Sequence, residues 1–280
     1  MLTNRLLAIA VGAVLAAGVL FAVAPRVGVA QVGNPRASTV HKVFPSALRL
    51  QITAGGAVVR SASAVAFARR GGSTYLLTNA HVVEPSARWK GAAEVRVLAT
   101  GAKPRTGVVV ACGKAPDLDL AVIEVRGGDF PVTPLAADDA LELGDDLVVI
   151  GAPFGKGLSV AAGIVSQVEY DFSENAAAPR VPKALKTDAA IGYGSSGGGV
   201  FDVPGARLVG LVEGYRTARV AFGKDEGYAL DVPMPGETFV APAAKIRRFL
   251  SERGLGQLVA SAATAARAPA AALAPATCRM

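Results

Sequence analysis

Short β-like segments repeat along most of this 280-residue chain and limit the folds that it can adopt. Each segment is rich in Val, Ile, Leu or Thr, and Gly, Pro or Asp residues separate it from the next. Many short strands at such spacing are typical of an all-β barrel or sandwich. The predicted strands are ALRLQIT (47–53), AVVRSASAVAFA (57–68), STYLLT (73–78), EVRVLA (94–99), GVVVAC (107–112), LAVIEV (120–125), LVVIGAPFG (147–155), LSVAAGIVSQVEY (158–170), LVGLVEGY (208–215) and ETFVAP (237–242).

A Pro-containing, acidic segment at residues 127–140 divides these strands into two groups, which predicts one folded domain over 31–255 made of two halves, about 45–130 and 140–241. One helix is predicted at 242–253. Pro242 lies in its first turn and Gly254 follows its end, which is the usual placement of these two residue types. Three large apolar residues of this segment recur at helical spacing: Ile246, Phe249 and Leu250.

The two ends of the chain differ from its middle. Residues 6–24 are apolar and uncharged and lie between Arg5 and Pro25, a pattern typical of a secretory signal or a short membrane anchor within residues 1–30. Either interpretation predicts export, to the periplasm, to the medium or to a membrane surface. Residues 256–280 are rich in Ala and Pro without apolar periodicity and predict a disordered tail.

Charge and composition argue against two classes of function. The net charge is +7, but basic residues are scattered among acidic ones without interleaved aromatics, so nucleic-acid binding is not expected. The two histidines and two cysteines lie far apart without ligand spacing, so neither a metal nor another cofactor is expected. Cys112 and Cys278 either form a disulfide after export or remain free thiols.

One Gly-rich stretch, TDAAIGYGSSGGGV at 187–200, contains two adjacent serines. Small neighbours suit a hydroxyl that must be accessible beside backbone N–H groups, although a flexible linker is the alternative. A serine becomes nucleophilic when a histidine removes its proton and a carboxylate orients that histidine. His81 ends a β-like run, and Asp117 and Asp119 begin another, but a structural histidine and ordinary strand-start aspartates also fit these patterns.

Four motifs together resemble the HtrA/DegP-type trypsin-like serine proteases over about residues 45–250: LLTNAHVV, DLDLAVI, VIGAPFGKGLSVAAGIVS and TDAAIGYGSSGG. The resemblance implies a chymotrypsin-like double β-barrel with the active site between the barrels, and peptide-bond hydrolysis through an acyl-enzyme. By motif position it implies His81 as base, Asp119 as orienting acid and Ser196 as nucleophile. Asp119 is preferred to Asp117 because the acid of the family directly precedes the LAV segment.

The resemblance also implies how the surroundings of the serine act. The backbone N–H groups of Gly194 and Ser196 would form the oxyanion hole, while Ser195 would be a spacer that cannot pair with a newly cut N-terminus. Apolar residues at the base of the first pocket, Ala190 and Ile191, predict cleavage after small or aliphatic residues.

The segment LVEGY, 211–215, should pair with the substrate backbone. Within it, Glu213 and Tyr215 either tune the pocket or are exposed edge residues.

The predicted function is therefore an exported serine endopeptidase acting on unfolded polypeptides. The alternative is a catalytically silent binding or chaperone-like protein on a protease fold. Proteins of this family usually carry C-terminal PDZ modules, yet fewer than thirty residues follow the predicted helix here, so no PDZ module is expected. The sequence predicts membrane attachment only through residues 6–24 and predicts no oligomeric state.

Overall fold

The structure is a computed structural model that describes residues 33–89, 92–115, 117–137, 141–170, 182–222 and 228–259. The chain divides after Asn34 into two units, and the elements below belong to the second. The described strands are β1 (Ala47–Ala54), β2 (Ala57–Arg70), β3 (Ser73–Thr78), β4 (Ala93–Leu98), β5 (Arg105–Cys112), β6 (Ala121–Arg126), β7 (Asp146–Gly151), β8 (Ser159–Tyr170), β9 (Pro182–Thr187), β10 (Gly199–Asp202), β11 (Leu208–Phe222) and β12 (Tyr228–Pro242). The described helices are α1 (Pro35–Val43), α2 (Ala80–Val83) and α3 (Ala243–Glu252).

Six antiparallel strands close the first barrel in the order β1-β2-β3-β6-β5-β4. Its interior is filled by aliphatic side chains that alternate with outward-facing residues along each strand, as a closed sheet requires. The largest of them are fully buried: Leu48, Leu50, Ile52, Leu76 and Ile123.

The second barrel has the order β10-β11-β12-β9-β8-β7. Together the two closed barrels and the short C-terminal helix confirm the prediction of an all-β, chymotrypsin-like double barrel. β9 joins β12 at Thr238–Val240. Beyond that point β11 and β12 continue as a ribbon in which Thr217 pairs with Pro233 and Val220 with Leu230.

Helix α3 packs against the second barrel. It begins one residue later and ends one residue earlier than the predicted 242–253, because Pro242 is its N-cap in extended conformation. Its apolar face is buried through Ile246, Phe249 and Leu250. Gly254 follows the helix at φ 69°, a conformation that glycine adopts without steric cost.

Several elements differ from the sequence prediction. Helices α1 and α2 and strands β9 and β10 were not predicted, so His81 lies in a short helix and not at the end of a strand. Strand β7 ends at Gly151, whereas the predicted strand ran to 155, because residues Pro153–Gly155 form a 3₁₀ turn. The apolar segment 6–24 and residues 260–280 lie outside the described residues. None of the helices in the described part of the chain has both the length and the hydropathy needed to cross a bilayer.

Cys112, at the end of β5, is disulfide-bonded in the structure. Cys278 lies outside the described residues. The pairing of these two cysteines therefore stays a prediction.

Candidate active site

The structure brings His81 and Asp119 together in the first barrel. His81 lies in the short helix α2, directly after β3, and Asp119 lies two residues before β6, the strand that pairs with β3. Both carboxylate oxygens accept hydrogen bonds from His81: Oδ2 from the ring Nδ1 at 2.6 Å and Oδ1 from the backbone N–H at 2.8 Å. Because a carboxylate only accepts, Nδ1 carries the proton and Nε2 is left as an acceptor.

Asp119 and Asp117 have different surroundings. Asp119 is 9% exposed, whereas Asp117 is exposed to solvent. The buried Asn79 also donates from its side-chain amide to the backbone carbonyl of Asp119 at 2.8 Å, which fixes the loop that presents the carboxylate. The geometry therefore supports Asp119 as the partner of His81. His41, the other histidine, lies exposed in α1.

The two serines of the Gly-rich stretch also differ in exposure. Ser195 is 3% exposed, and its Oγ lies 3.4 Å from the backbone N of Gly192. Ser196 is only partly buried, and it lines a cavity of about 380 Å³ together with His81. This arrangement supports Ser196 as the accessible hydroxyl and Ser195 as the spacer.

The Ser196 hydroxyl and the His81 ring face the same cavity without a direct bond. Between these two described residues the structure records no hydrogen bond, although both lie at the cavity wall. Hydrogen bonds of this kind are often long in substrate-free enzymes and shorten when substrate binds.

The backbone around Gly194 is arranged so that N–H groups remain available. The carbonyl of Tyr193 accepts from Phe154 N at 2.5 Å, and the carbonyl of Gly194 accepts from Ser63 Oγ at 2.7 Å. Among the described residues, the N–H groups of Gly194 and Ser196 have no acceptor. Both residues line the cavity that holds His81, which is compatible with the oxyanion-hole role predicted for their N–H groups.

Close backbone approach explains the glycines of this stretch. Gly194 has φ 92°, and a Cβ there would lie 2.6 Å from the carbonyl oxygen of Ala152. A Cβ at Gly197 would lie 2.2 Å from the carbonyl oxygen of Ser63, and one at Gly198 would lie 2.6 Å from that of Ile150. Side chains at these positions would push the serine loop away from both barrels. The stretch is therefore a packed turn and not a flexible linker.

Ser63 is a site residue that the sequence analysis did not identify. It lies fully buried in β2, where its hydroxyl donates to the Gly194 carbonyl and accepts from Ala152 N at 2.8 Å. Its own N–H donates to the Ser196 carbonyl at 2.9 Å. Ser63 thus holds the serine loop of the second barrel against the first. Its signal in the sequence is weak, because Arg60 and Ser61 also interrupt the apolar residues of this strand.

Arg60 also acts on the histidine side of the cleft. Its guanidinium donates to the backbone carbonyls of His81 and Val82 and stacks on Trp89 with its carbon 4.9 Å from the ring centroid. Carbonyls at the end of a short helix lack intrahelical donors, so Arg60 satisfies the turn that carries His81.

A second cavity, of about 440 Å³, adjoins the serine loop. Ala190, Ile191 and Tyr215, three of the four predicted pocket residues, line it, and no charged side chain does so among the described residues. Burial and the neighbouring Tyr193 raise the pKa of Tyr215 to about 12, so its phenol stays neutral. Glu213, the fourth predicted pocket residue, lines neither cavity and instead pairs with Lys245.

Within the described part of the chain, no group of three or more His, Cys, Asp or Glu side chains is placed to hold a metal ion. The residues that line this site support the chemistry of a hydroxyl nucleophile, an imidazole base oriented by a carboxylate and backbone N–H donors.

Comparison with known proteins gives the same fold and family. Residues 62–211 match the family model of the trypsin-like peptidase domain. The chain is 34% identical over 201 residues to a serine protease HtrA-like protein of Staphylococcus epidermidis, with 69% of this chain and 31% of that protein covered. It is 31% identical over 189 residues to a probable periplasmic serine endoprotease DegP-like protein of Pseudomonas fulva, with 66% and 35% covered.

The fold resembles the crystal structure of the serine endoprotease from Yersinia pestis, with a TM-score of 0.59, 22% identity and coverage of 80% of this chain and 68% of that one. The chain spans about a third of the length of the two curated relatives named above. The family model covers more than half of the chain and confirms the resemblance found in the sequence. The chain belongs to the trypsin-like peptidase family, as an HtrA-like protease domain.

Proposed function

We propose that this protein is a serine endopeptidase in which Ser196, His81 and Asp119 form the catalytic triad. The observation that carries the proposal is the His81–Asp119 pair, bonded at 2.6 Å and opening on the cavity that Ser196 also lines. Membership of the trypsin-like peptidase family supports the same activity.

The proposed reaction follows from the protonation states at this site. His81 Nε2 takes the proton of Ser196 as Oγ attacks the substrate carbonyl, and the oxyanion that forms is bound by the N–H groups of Gly194 and Ser196. The imidazolium then gives its proton to the leaving amine, which releases one product and leaves an acyl-enzyme. A water molecule, deprotonated by His81, attacks the ester and restores the free hydroxyl.

The proposed substrates are unfolded polypeptides cleaved after small or aliphatic residues. The lining of the 440 Å³ cavity supports this preference, because Val149, Ala161 and Ile191 offer apolar contacts and no described carboxylate is present to bind Lys or Arg. A set of peptides that differ only at the residue before the cleaved bond tests it. Faster cleavage after Lys or Arg than after Val or Ala would contradict the assignment.

We further propose export of the protein, to the periplasm or beyond. The support is the apolar segment 6–24 and the DegP-like relative whose name describes it as probably periplasmic. Fractionation of cells that express the full chain tests this proposal, since an exported protein leaves the cytoplasmic fraction.

Fluorophosphonate labelling tests the catalytic proposal directly, because the reagent reacts with an activated serine. Labelling and casein hydrolysis should be lost in Ser196→Ala and largely kept in Ser195→Ala, because Ser195 is 3% exposed and does not line the cavity that holds His81. Absence of labelling in the folded wild-type protein would instead favour a silent binding or chaperone-like protein. If labelling disappears in Ser195→Ala alone, the nucleophile is Ser195 and not Ser196.

A further inference from the structure

A bulge in β11 lies at Glu213, between Val212, which bonds to the serine loop, and Gly214, which lines the cavity that holds His81. Val212 pairs with Val240 and Gly214 pairs with Phe239, so Glu213 is the extra residue between them. Val212 itself is anchored to the serine loop: its N–H donates to the Gly198 carbonyl at 2.9 Å, and its carbonyl accepts from Gly197 N at 3.0 Å. A bulge redirects the side chain of the extra residue, and bulges are frequent beside active sites.

The Glu213 side chain forms an ion pair with the C-terminal helix. Lys245, in the first turn of α3, donates to Glu213 Oε1 at 2.7 Å, and the side chains of Lys245 and Glu213 are 14% and 21% exposed. A largely buried ion pair adds little to stability compared with apolar residues of similar size, because both charges lose their hydration. The placement of this pair therefore calls for a reason other than stability.

The charges of the triad reach this carboxylate. Burial raises the pKa of Glu213, the bond to Lys245 and its charge lower it, the negative charge of Asp119 raises it, and the positive form of His81 lowers it. These influences run in both directions, so the charge of Glu213 acts in turn on His81 and Asp119.

We propose that Glu213, held by Lys245 in the bulge of β11, is a positioning residue that sets the electrostatic surroundings of the His81–Asp119 pair. The inference rests on the proposed function, because it assigns Glu213 a role in the same triad. The net charge of the Glu213–Lys245 pair stays near zero while both side chains are ionised.

The charged groups around His81 give the direction of each effect. They are Asp119 from the loop before β6, the Glu213–Lys245 pair from β11 and α3, and Arg60 from β2. Glu213→Gln leaves one extra positive charge near the imidazolium and should lower its titration midpoint. Lys245→Gln leaves one extra negative charge and should raise it. The two shifts should be opposite in sign, and the double variant should return close to wild type.

NMR titration of the histidine ring protons in the full chain measures these shifts without relying on catalysis. The chain has two histidines, and His41 lies exposed in α1, so it serves as an internal reference whose midpoint should not move. Glu237→Gln is the matched control, because Glu237 forms an equally close ion pair with Lys186 at 3.0 Å and lines neither cavity.

Opposite shifts of His81 in the two single variants, cancelling in the double variant, support the inference. A His81 midpoint that stays in place in Glu213→Gln overturns it, and so does an equal shift in Glu237→Gln. If Lys245→Gln fails to fold, the His81 midpoints of Glu213→Gln and Glu237→Gln still test the inference. Fluorophosphonate labelling of the wild-type protein separately tests the proposed function, so the two failures can be told apart.

Discussion

Substitution of Ser63 by Ala should weaken both the fold and the reaction, because one buried hydroxyl joins the two barrels at the oxyanion hole. The hydroxyl donates to the Gly194 carbonyl at 2.7 Å and accepts from the N–H of Ala152 at 2.8 Å. Alanine fits the space of serine but makes neither bond. The change therefore removes these two contacts and leaves the packing nearly as it was.

The two broken bonds differ in cost. Ala152 is fully buried, so its N–H is left without a partner, at about 1 to 3 kcal/mol. Gly194 is partly exposed, so water can replace the lost donor and the cost falls to about 0.5 to 1.5 kcal/mol. Together we expect a loss of about 1.5 to 4.5 kcal/mol in the free energy of unfolding, or roughly 3 to 18 °C in Tm for a domain of this size.

The effect on catalysis follows from Gly194. If its peptide turns once the carbonyl is released, one oxyanion donor is lost, which costs about 10² to 10³ in kcat. We therefore expect kcat of Ser63→Ala to fall at least about tenfold with little change in KM, because the donor acts on the transition state. Thermal unfolding and steady-state hydrolysis of a peptide measure the two effects separately.

Ser46→Ala is the matched control. Ser46 is also buried, and its hydroxyl bonds to the Val43 carbonyl at 2.7 Å and to Thr133 Oγ1 at 2.9 Å, but it lines neither cavity. This variant should lose stability and keep its kcat. An unchanged kcat in folded Ser63→Ala, or an equal loss in Ser46→Ala, would refute the reasoning.

Gly194→Ala should fold less stably and lose about 10² to 10³ in kcat, because its φ of 92° and a carbonyl 2.6 Å from the new Cβ force the loop to move. Gly157→Ala is the control: its new Cβ meets nothing within 4 Å, so thermal unfolding and peptide hydrolysis should match the wild type. Asp119→Asn should lower kcat by about 10⁴ at neutral pH, because the amide favours the wrong tautomer of the histidine. Asp117 is exposed, so Asp117→Asn should leave kcat unchanged, and peptide hydrolysis measures both variants. Burial raises the pKa of Glu213 above 4.5, so the native state holds that proton more tightly than the unfolded chain. The stability contribution of this group is therefore full below about pH 4.5 and declines as pH rises through the native value, and this slope in unfolding measurements should disappear in Glu213→Gln.

Local sequence was sufficient to predict a strand where the residue pattern is strong. It was insufficient where a strand forms only because it pairs with residues distant in the chain. β3 and β6 are rich in the Thr, Tyr, Leu, Val and Ile residues that favour strands, and the prediction identified both. β9 begins with a proline and contains two lysines, and β10 begins within the Gly-rich run, so neither resembles a strand in isolation. β10 is a strand because it pairs with β7 and β11, and Gly199 is small there because a Cβ would lie 2.5 Å from the Phe201 ring.

The same distinction applies to the site. His81, Asp119 and Ser196 lie in short motifs, so their identity can be predicted from sequence alone. The supporting contacts cannot be predicted in this way, because Ser63 bonds to a residue 131 positions away and Lys245 to one 32 positions away. The prediction of Glu213 as a pocket residue shows this limit, since its place depends on a bulge and on a helix that the strand motif does not contain.

The division of the site between the barrels has a consequence for how the molecule matures. His81 and Asp119 come from the first barrel and Ser196 from the second, and their docking at Ser63 completes the oxyanion loop. On the proposed mechanism, a chain that has formed only one barrel is catalytically silent, because Ser196 and His81 lie in different barrels. The single tryptophan, Trp89, lies on the first-barrel side beside Arg60. Its fluorescence therefore reports formation of the first barrel, whereas activity also requires the second barrel to form and dock. During refolding, peptide hydrolysis should never recover before the tryptophan signal.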